Sequence, residues 1–139
     1  MNTVVNATAT EGFGFKLTEE QEMIRQMTAE FADNEIKPFA GEWDINDHVP
    51  MDVLKKMHDL GLTNIGIPAE YGGQGLDNFT RYTVIEELAQ RDAGIGTTVV
   101  ASTLLATDPI MVGANDEQKK WWYGRMLEGA MAGFCLTEP

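Results

Sequence analysis

Signals that start and stop α-helices recur along this sequence, and they dictate a mainly α fold. Thr18-Glu-Glu-Gln21 is a capping-box pattern: the threonine hydroxyl accepts from an early backbone N–H, and the glutamine reaches back. Behind it Ile24, Met27 and Phe31 form a narrow stripe at helical spacing, and Pro38 predicts an end near Ile36. Pro50 and Gly61 bracket a second helix, with its buried stripe expected at Met51, Leu54 and Met57. Asp77 or Asn78 caps a third, with Tyr82, Ile85, Leu88 and Ala89 on one side. A fourth is expected from Thr97 to about Val112, kinked at Pro109. Its Gly, Thr, Val and Ser content is poor for an isolated helix, so packing on several sides must hold it. Asn115-Asp116 caps a fifth, on which Trp121 and Trp122 are expected as core and rim.

The end of the chain breaks this pattern. Ala132-Gly-Phe-Cys-Leu-Thr-Glu-Pro139 reads as a β-strand, and a lone strand leaves its backbone groups without partners. Residues 17–131 are therefore expected to form an up-down helical domain, with 132–139 the first strand of a β-domain cut short. Residues 1–16 are small and polar and are expected as a flexible arm. With 139 residues, 43% of them hydrophobic, the chain can bury a real core but hardly two.

Charge narrows the partners. The chain has 10 Lys+Arg against 22 Asp+Glu, a formal net charge of −12. That argues against nucleic acid and against an anionic membrane surface, both of which call for excess basic residues. No segment has the basic-then-apolar order of a targeting peptide, and the longest uncharged run, 93–107, is too short to cross a bilayer. A single cysteine, Cys135, forbids an internal disulfide and suits a reducing compartment. A soluble, cytoplasmic protein without membrane insertion is expected.

Most constellations that carry chemistry fail on inspection. Gly94-Ile-Gly96 has Val at position 99 and follows a helix, so it is not a dinucleotide fingerprint, and no Gly-Lys-Ser/Thr is present for a P-loop. Gly72-Gly73-Gln-Gly75 reads as a tight loop between helices. An EF-hand starting at Asp44 would need Gly and Glu where Val49 and Lys55 stand, and His58 reads as a packed, hydrogen-bonded residue; no metal is assigned. Cys135 has no neighbouring cation to stabilise a thiolate, and Ser102 sits in a helical pattern. One stripe stands out. Thr98, Ala101, Ser102 and Leu105 fall within about a third of a helix circumference. Small and uncharged, they either line a slot for a slim apolar ligand or pack closely on a neighbouring helix; spacing alone favours the second.

Seven segments taken in order resemble the N-terminal part of the acyl-CoA dehydrogenases. They are Leu17-Thr-Glu-Glu-Gln21, Ile36-Lys-Pro38, Asp59-Leu-Gly-Leu62, Ile67-Pro-Ala-Glu-Tyr-Gly-Gly-Gln-Gly75, Glu86-Glu-Leu-Ala89 with Asp92-Ala-Gly94, Gly113-Ala-Asn-Asp-Glu-Gln-Lys119 and Cys135-Leu-Thr-Glu-Pro139. The resemblance implies an N-terminal helical domain and the first strand of a middle β-domain, followed in the family by a C-terminal bundle and usually assembled as a homotetramer. It implies FAD as cofactor, an acyl-CoA substrate desaturated between its α and β carbons, and an electron-transfer flavoprotein as electron acceptor. By the same resemblance Phe134, Cys135, Leu136 and Thr137 contact the flavin, while Thr98, Ala101 and Leu105 line the acyl cavity. The family's glutamate base lies on the C-terminal bundle, so no catalytic residue is assigned to this chain. Two rival functions remain: a helical interaction module derived from the family, and the same domain of a related flavin oxidase or monooxygenase.

Overall fold

The computed structural model describes residues 16–137; all of the expected arm except Lys16 lies outside the described residues, as do Glu138 and Pro139. The described residues fold as α1 (Glu19–Glu35), α2 (Ala40–Ile45), α3 (Met51–Asp59), α4 (Asn78–Ala89), α5 (Ala93–Val100), a π-helical turn (Ala101–Ala106), α6 (Thr107–Gly113) and α7 (Asp116–Leu127). A 3-10 turn at Ala69–Tyr71 interrupts the loop between α3 and α4. The fold is mainly α, as the punctuation predicts.

The caps form where the side chains can make them. Thr18 and Gln21 close a capping box on α1, and Asn115 and Gln118 close one on α7. Asp77 accepts from the Thr80 N–H at the head of α4. Asp92 does the same for α5 through the Ile95 N–H, at 2.7 Å. That cap starts the helix at Ala93 instead of the expected Thr97, and places Gly94 and Gly96 inside it. Gly96 is required there by packing: a Cβ would lie 2.6 Å from that of Ala89 on α4.

The core lies between α1, α3, α4 and α5. Ala32, Ile36, Val53, Leu54, Met57, Leu62, Ile65, Val84, Leu88, Ile95 and Val99 are buried in it. A smaller cluster of Ile67, Tyr123 and Met126 seats α7 on the glycine-rich loop. Several expected stripe positions lie outside both. Met27, Met51 and Tyr82 are exposed, as is Ala89, and their places go to Thr28, Val53 and Val84. The shift of one or two residues in the stripe's phase follows from where the neighbouring helices sit; α4, for one, packs on both α1 and α5. On α7, Tyr123 is core, Trp122 is half-buried and Trp121 is exposed, so the tryptophan pair does not supply the core. The short helix α2 carries no side-chain cap. Phe39 stacks on Trp43 at 5.9 Å between centroids, and Trp43 packs on the core.

From Ala93 to Gly113 the chain is helical without a break, and a π turn at Ala101–Ala106 lies just before Pro109. Proline has no N–H for the carbonyl one turn back, and its ring crowds that carbonyl. Widening the preceding turn lets the ladder slip by one residue. Side chains then serve carbonyls inside the turn: Thr107 Oγ1 donates to Ser102 O at 2.7 Å, and Arg81 Nη1 to Thr103 O at 3.3 Å. At 21 residues this helix is long and apolar enough, by length and composition, to cross a membrane, which corrects the length argument made from 93–107. Its inner face is committed to the bundle, with Ile95, Val99, Ser102, Thr103 and Ala106 buried.

Segment 130–137 forms no strand. Alternating side chains give it a strand's local preference, but among the described residues no second strand is present to complete a ladder.

An ion network ties α1 to α4. Buried Glu87 accepts from Arg25 at 3.0 Å and from Arg91, and Arg91 also bridges to Asp33. Hydrogen bonds from Arg25 hold the Glu22 carboxyl at about 2, against 4.5 unperturbed. The Arg91 guanidinium lowers Asp33, and the Thr80 N–H lowers Asp77. A carboxylate depressed on folding adds stability above its unfolded pKa and loses it as pH falls through the folded one. For Glu22 the window runs from about 4.5 down to about 2. Melting temperature is therefore expected to fall between pH 5 and pH 2 (roughly the interval bracketing those values), and Glu22→Gln to flatten the last part of that fall. An equally steep fall in Glu22→Gln would show that this carboxylate contributes nothing.

Candidate functional site

Of the expected stripe on the long helix, Ser102 is fully buried on the inner face and does not join the other three at the surface. Thr98 and Ala101 are half-buried and Leu105 is exposed. Thr98 turns its hydroxyl onto Gly94 O at 2.9 Å, so the polar part of the side chain is satisfied within the helix. What faces outward is slender and weakly polar.

Thr98 also lines a cleft of about 470 Å³, between the start of α5 and the α2–α3 connection. Trp43, Val49, Pro50 and Ile95 form its apolar part, and Asp44, Asp47, His48 and Arg91 its polar part. Sequence reasoning missed this cleft. One signal was available: had Asp92 been read as the cap, Ile95 and Thr98 would have fallen three residues apart on one helix face. Trp43 and Val49 arrive from some fifty residues away and carried no such signal.

The C-terminal segment reaches the helix by a defined route. Gly129, at φ +93°, ends α7 in the left-handed conformation. The Gly129 N–H bonds to Met126 O and the Ala130 N–H to Arg125 O, which is a Schellman closure. Two residues on, the Ala132 N–H donates to Ser102 Oγ at 3.1 Å. Ser102 is fully buried, next in sequence to Ala101. Beyond this bond Phe134, Cys135, Leu136 and Thr137 are all exposed, and the Cys135 thiol is free. The structure thus brings the root of the expected flavin-contacting segment onto the helix that bears the expected acyl-contacting residues.

The remaining candidates resolve into packing. Gly73 is needed because Ile67 O occupies the space a Cβ would take, and Gly75 donates to that same carbonyl. His58 Nδ1 lies 2.9 Å from Asn64 Nδ2, which also donates to Met126 O. Among the described residues no group of three or more His, Cys, Asp or Glu is placed to hold a metal.

Comparison with known proteins matches the helical body of the chain. The family model for the acyl-CoA dehydrogenase N-terminal domain matches residues 18–130. The short-chain specific acyl-CoA dehydrogenase of Clostridium acetobutylicum is 39% identical over 126 residues, 90% of this chain and 33% of that protein. A chain from the structural work on the electron transferring flavoprotein of Acidaminococcus fermentans superposes with a TM-score of 0.77 at 37% identity, covering 84% of this chain and 30% of that one. The acyl-CoA dehydrogenase of Bacillus anthracis, solved as its FAD complex, gives 0.76 at 31% identity, with 89% and 21% covered. The chain spans about a third of the length of the curated relatives it matches. A helical body with these caps, this glycine loop and a match running from the first cap to the end of α7 belongs to the acyl-CoA dehydrogenase N-terminal domain family.

Proposed function

We propose that this chain supplies the N-terminal helical domain and the start of the middle domain of an FAD-dependent acyl-CoA dehydrogenase. In this reading the outer face of the long helix is one wall of the acyl pocket, and residues 134–137 make the first flavin contacts. The observation that carries it is the hydrogen bond from Ala132 to Ser102, which roots the second set of residues on the helix bearing the first.

The residues present fit a flat, mostly apolar ring with a polar edge. Along an extended chain alternate side chains share a side, so Phe134 and Leu136 offer apolar surface together, while Thr137 and the backbone offer hydrogen-bonding groups. When bound there, FAD would supply the acceptor for the hydride leaving the substrate's β carbon. The chain's own part is to bind and orient: Thr98, Ala101 and Leu105 hold the acyl tail, and the segment after Ala132 excludes water from the ring's face. The glutamate base for the α proton belongs to the C-terminal bundle in this reading, and electrons pass on to an electron-transfer flavoprotein. We place the assembled protein in the cytoplasm as a homo-oligomer, in keeping with a lone free cysteine and exposed apolar residues such as Leu136.

The test uses the polypeptide completed with its middle and C-terminal domains. Acyl-CoA is expected to bleach the bound flavin and to reduce an artificial electron acceptor, with oxygen a poor substitute. Ala101→Phe, which fills the slot, is expected to lower kcat/KM by on the order of tenfold to a hundredfold, mainly through KM. The chain alone is expected to be colourless. A flavin that acyl-CoA does not bleach would overturn the dehydrogenase reading, and turnover with oxygen alone would favour an oxidase.

A further inference from the structure

Ser102 is the fixed point between the two sets of site residues. It lies in the π turn, at the point where the C-terminal segment crosses the helix. Both ends of this serine are engaged. Its carbonyl accepts from Thr107 Oγ1, which in turn accepts from Trp122 Nε1 at 3.4 Å on α7. Its hydroxyl accepts from Ala132, just past the end of α7. The helix and the segment leaving it are thereby latched to one turn of the acyl-lining helix.

Beyond Ala132 the segment has little else to hold it. Residues 133–137 are all exposed, and no further hydrogen bond from them to the helical body is recorded among the described residues. The direction in which the segment leaves is therefore set at Ala132. We propose that Ser102 is a positioning residue: by accepting the Ala132 N–H it fixes the flavin-contacting segment relative to Thr98, Ala101 and Leu105. This rests on the dehydrogenase reading for its consequence, though not for its geometry. Buried, hydrogen-bonded and flanked by Ala101, the serine touches neither ligand. It acts through the backbone that does.

The test pairs two variants that remove the same bond from opposite ends, Ser102→Ala and Ala132→Pro. In this chain, amide hydrogen exchange at Ala132, whose N–H makes the bond, is expected to speed up by about tenfold in Ser102→Ala, the equivalent of one modest hydrogen bond. The amides of Tyr123 and Met126 are expected to stay unchanged, which separates a latch from general loosening. The double variant, read by melting temperature because proline carries no amide hydrogen, is expected to be no less stable than the weaker single, because both substitutions remove one interaction. In the completed flavoprotein, Ser102→Ala is expected to weaken FAD binding by about tenfold and to alter the flavin's visible spectrum, while Ser102→Cys, keeping a weak acceptor of similar size, recovers part of both. Unchanged exchange, or additive single variants, would overturn the proposal whatever the enzyme does. Faster exchange with unaltered flavin binding would also overturn it, as a contact without positional effect. A wild-type polypeptide that binds no flavin would sink the dehydrogenase reading, and the role proposed here with it.

Discussion

Gly73→Ala is expected to destabilise the protein by at least about 3 kcal/mol, lowering the melting temperature by roughly 10 °C. The added Cβ would sit 2.1 Å from Ile67 O and 2.5 Å from Ile67 Cβ. A flexible side chain could swing away from such a contact; a backbone carbonyl cannot. Ile67 O is fixed by the N–H of Gly75 at 2.9 Å, and the flanking loop by Gly73 to Pro68 O and Leu76 to Ile65 O. Relief means opening the loop on which Tyr71 and Tyr123 pack, at 4.9 Å between ring centroids. Gly124→Ala makes the matched control. It lies inside α7 with open space around it, so alanine is expected to stabilise by about 0.5–1 kcal/mol through helix propensity alone. Urea unfolding followed by circular dichroism reads both. Gly73→Ala within about 1 kcal/mol of wild type would mean that the loop adapts freely, contrary to its hydrogen bonding.

The second large effect is an asymmetry. Asp108→Ala is expected to cost about 3 kcal/mol, and Arg81→Met distinctly less, although each breaks the same ion pair. Arg81 is buried, with 4% of its side chain exposed, whereas Asp108 retains 37%. Removing the aspartate strands a guanidinium in the bundle. Its remaining partners are the neutral oxygens of Asn78 and Thr103, and its Nε has none. Removing the arginine leaves a carboxylate that water can reach, and methionine fills much of the vacated space. Urea midpoints for the two variants decide it. If Arg81→Met proves the more damaging, the arginine matters chiefly as a donor to the π turn rather than as a charge needing compensation.

What could be read from the sequence was what is decided within a few residues. Thr18, Asp77 and Asn115 announce their helices because the capping atom and the orphan N–H lie three residues apart. Stripe phase was less legible. Met51 is as apolar as Val53, and only the position of the neighbouring helices selects between them. Residues 132–137 illustrate the same limit, since strand preference is local and a ladder is not. In the candidate site, Thr98, Ala101 and Leu105 could be grouped because one helix carries them. The cleft beside Thr98 and the bond from Ala132 to Ser102 join residues some thirty to fifty positions apart, and no periodicity encodes them.

The π turn also lets the long helix change length without changing face. It spreads one extra residue over about the same rotation as an ordinary turn, so deleting a single codon from 103–105 would restore an ordinary ladder and leave the stretches on either side nearly in phase. Thr98 and Ala101 would keep their bearing. What would go is the widened turn itself, and with it the carbonyls that Thr107 and Arg81 serve. Among homologues, a one-residue insertion or deletion at this turn would thus be absorbed where it falls, with the lining on both sides left as it was.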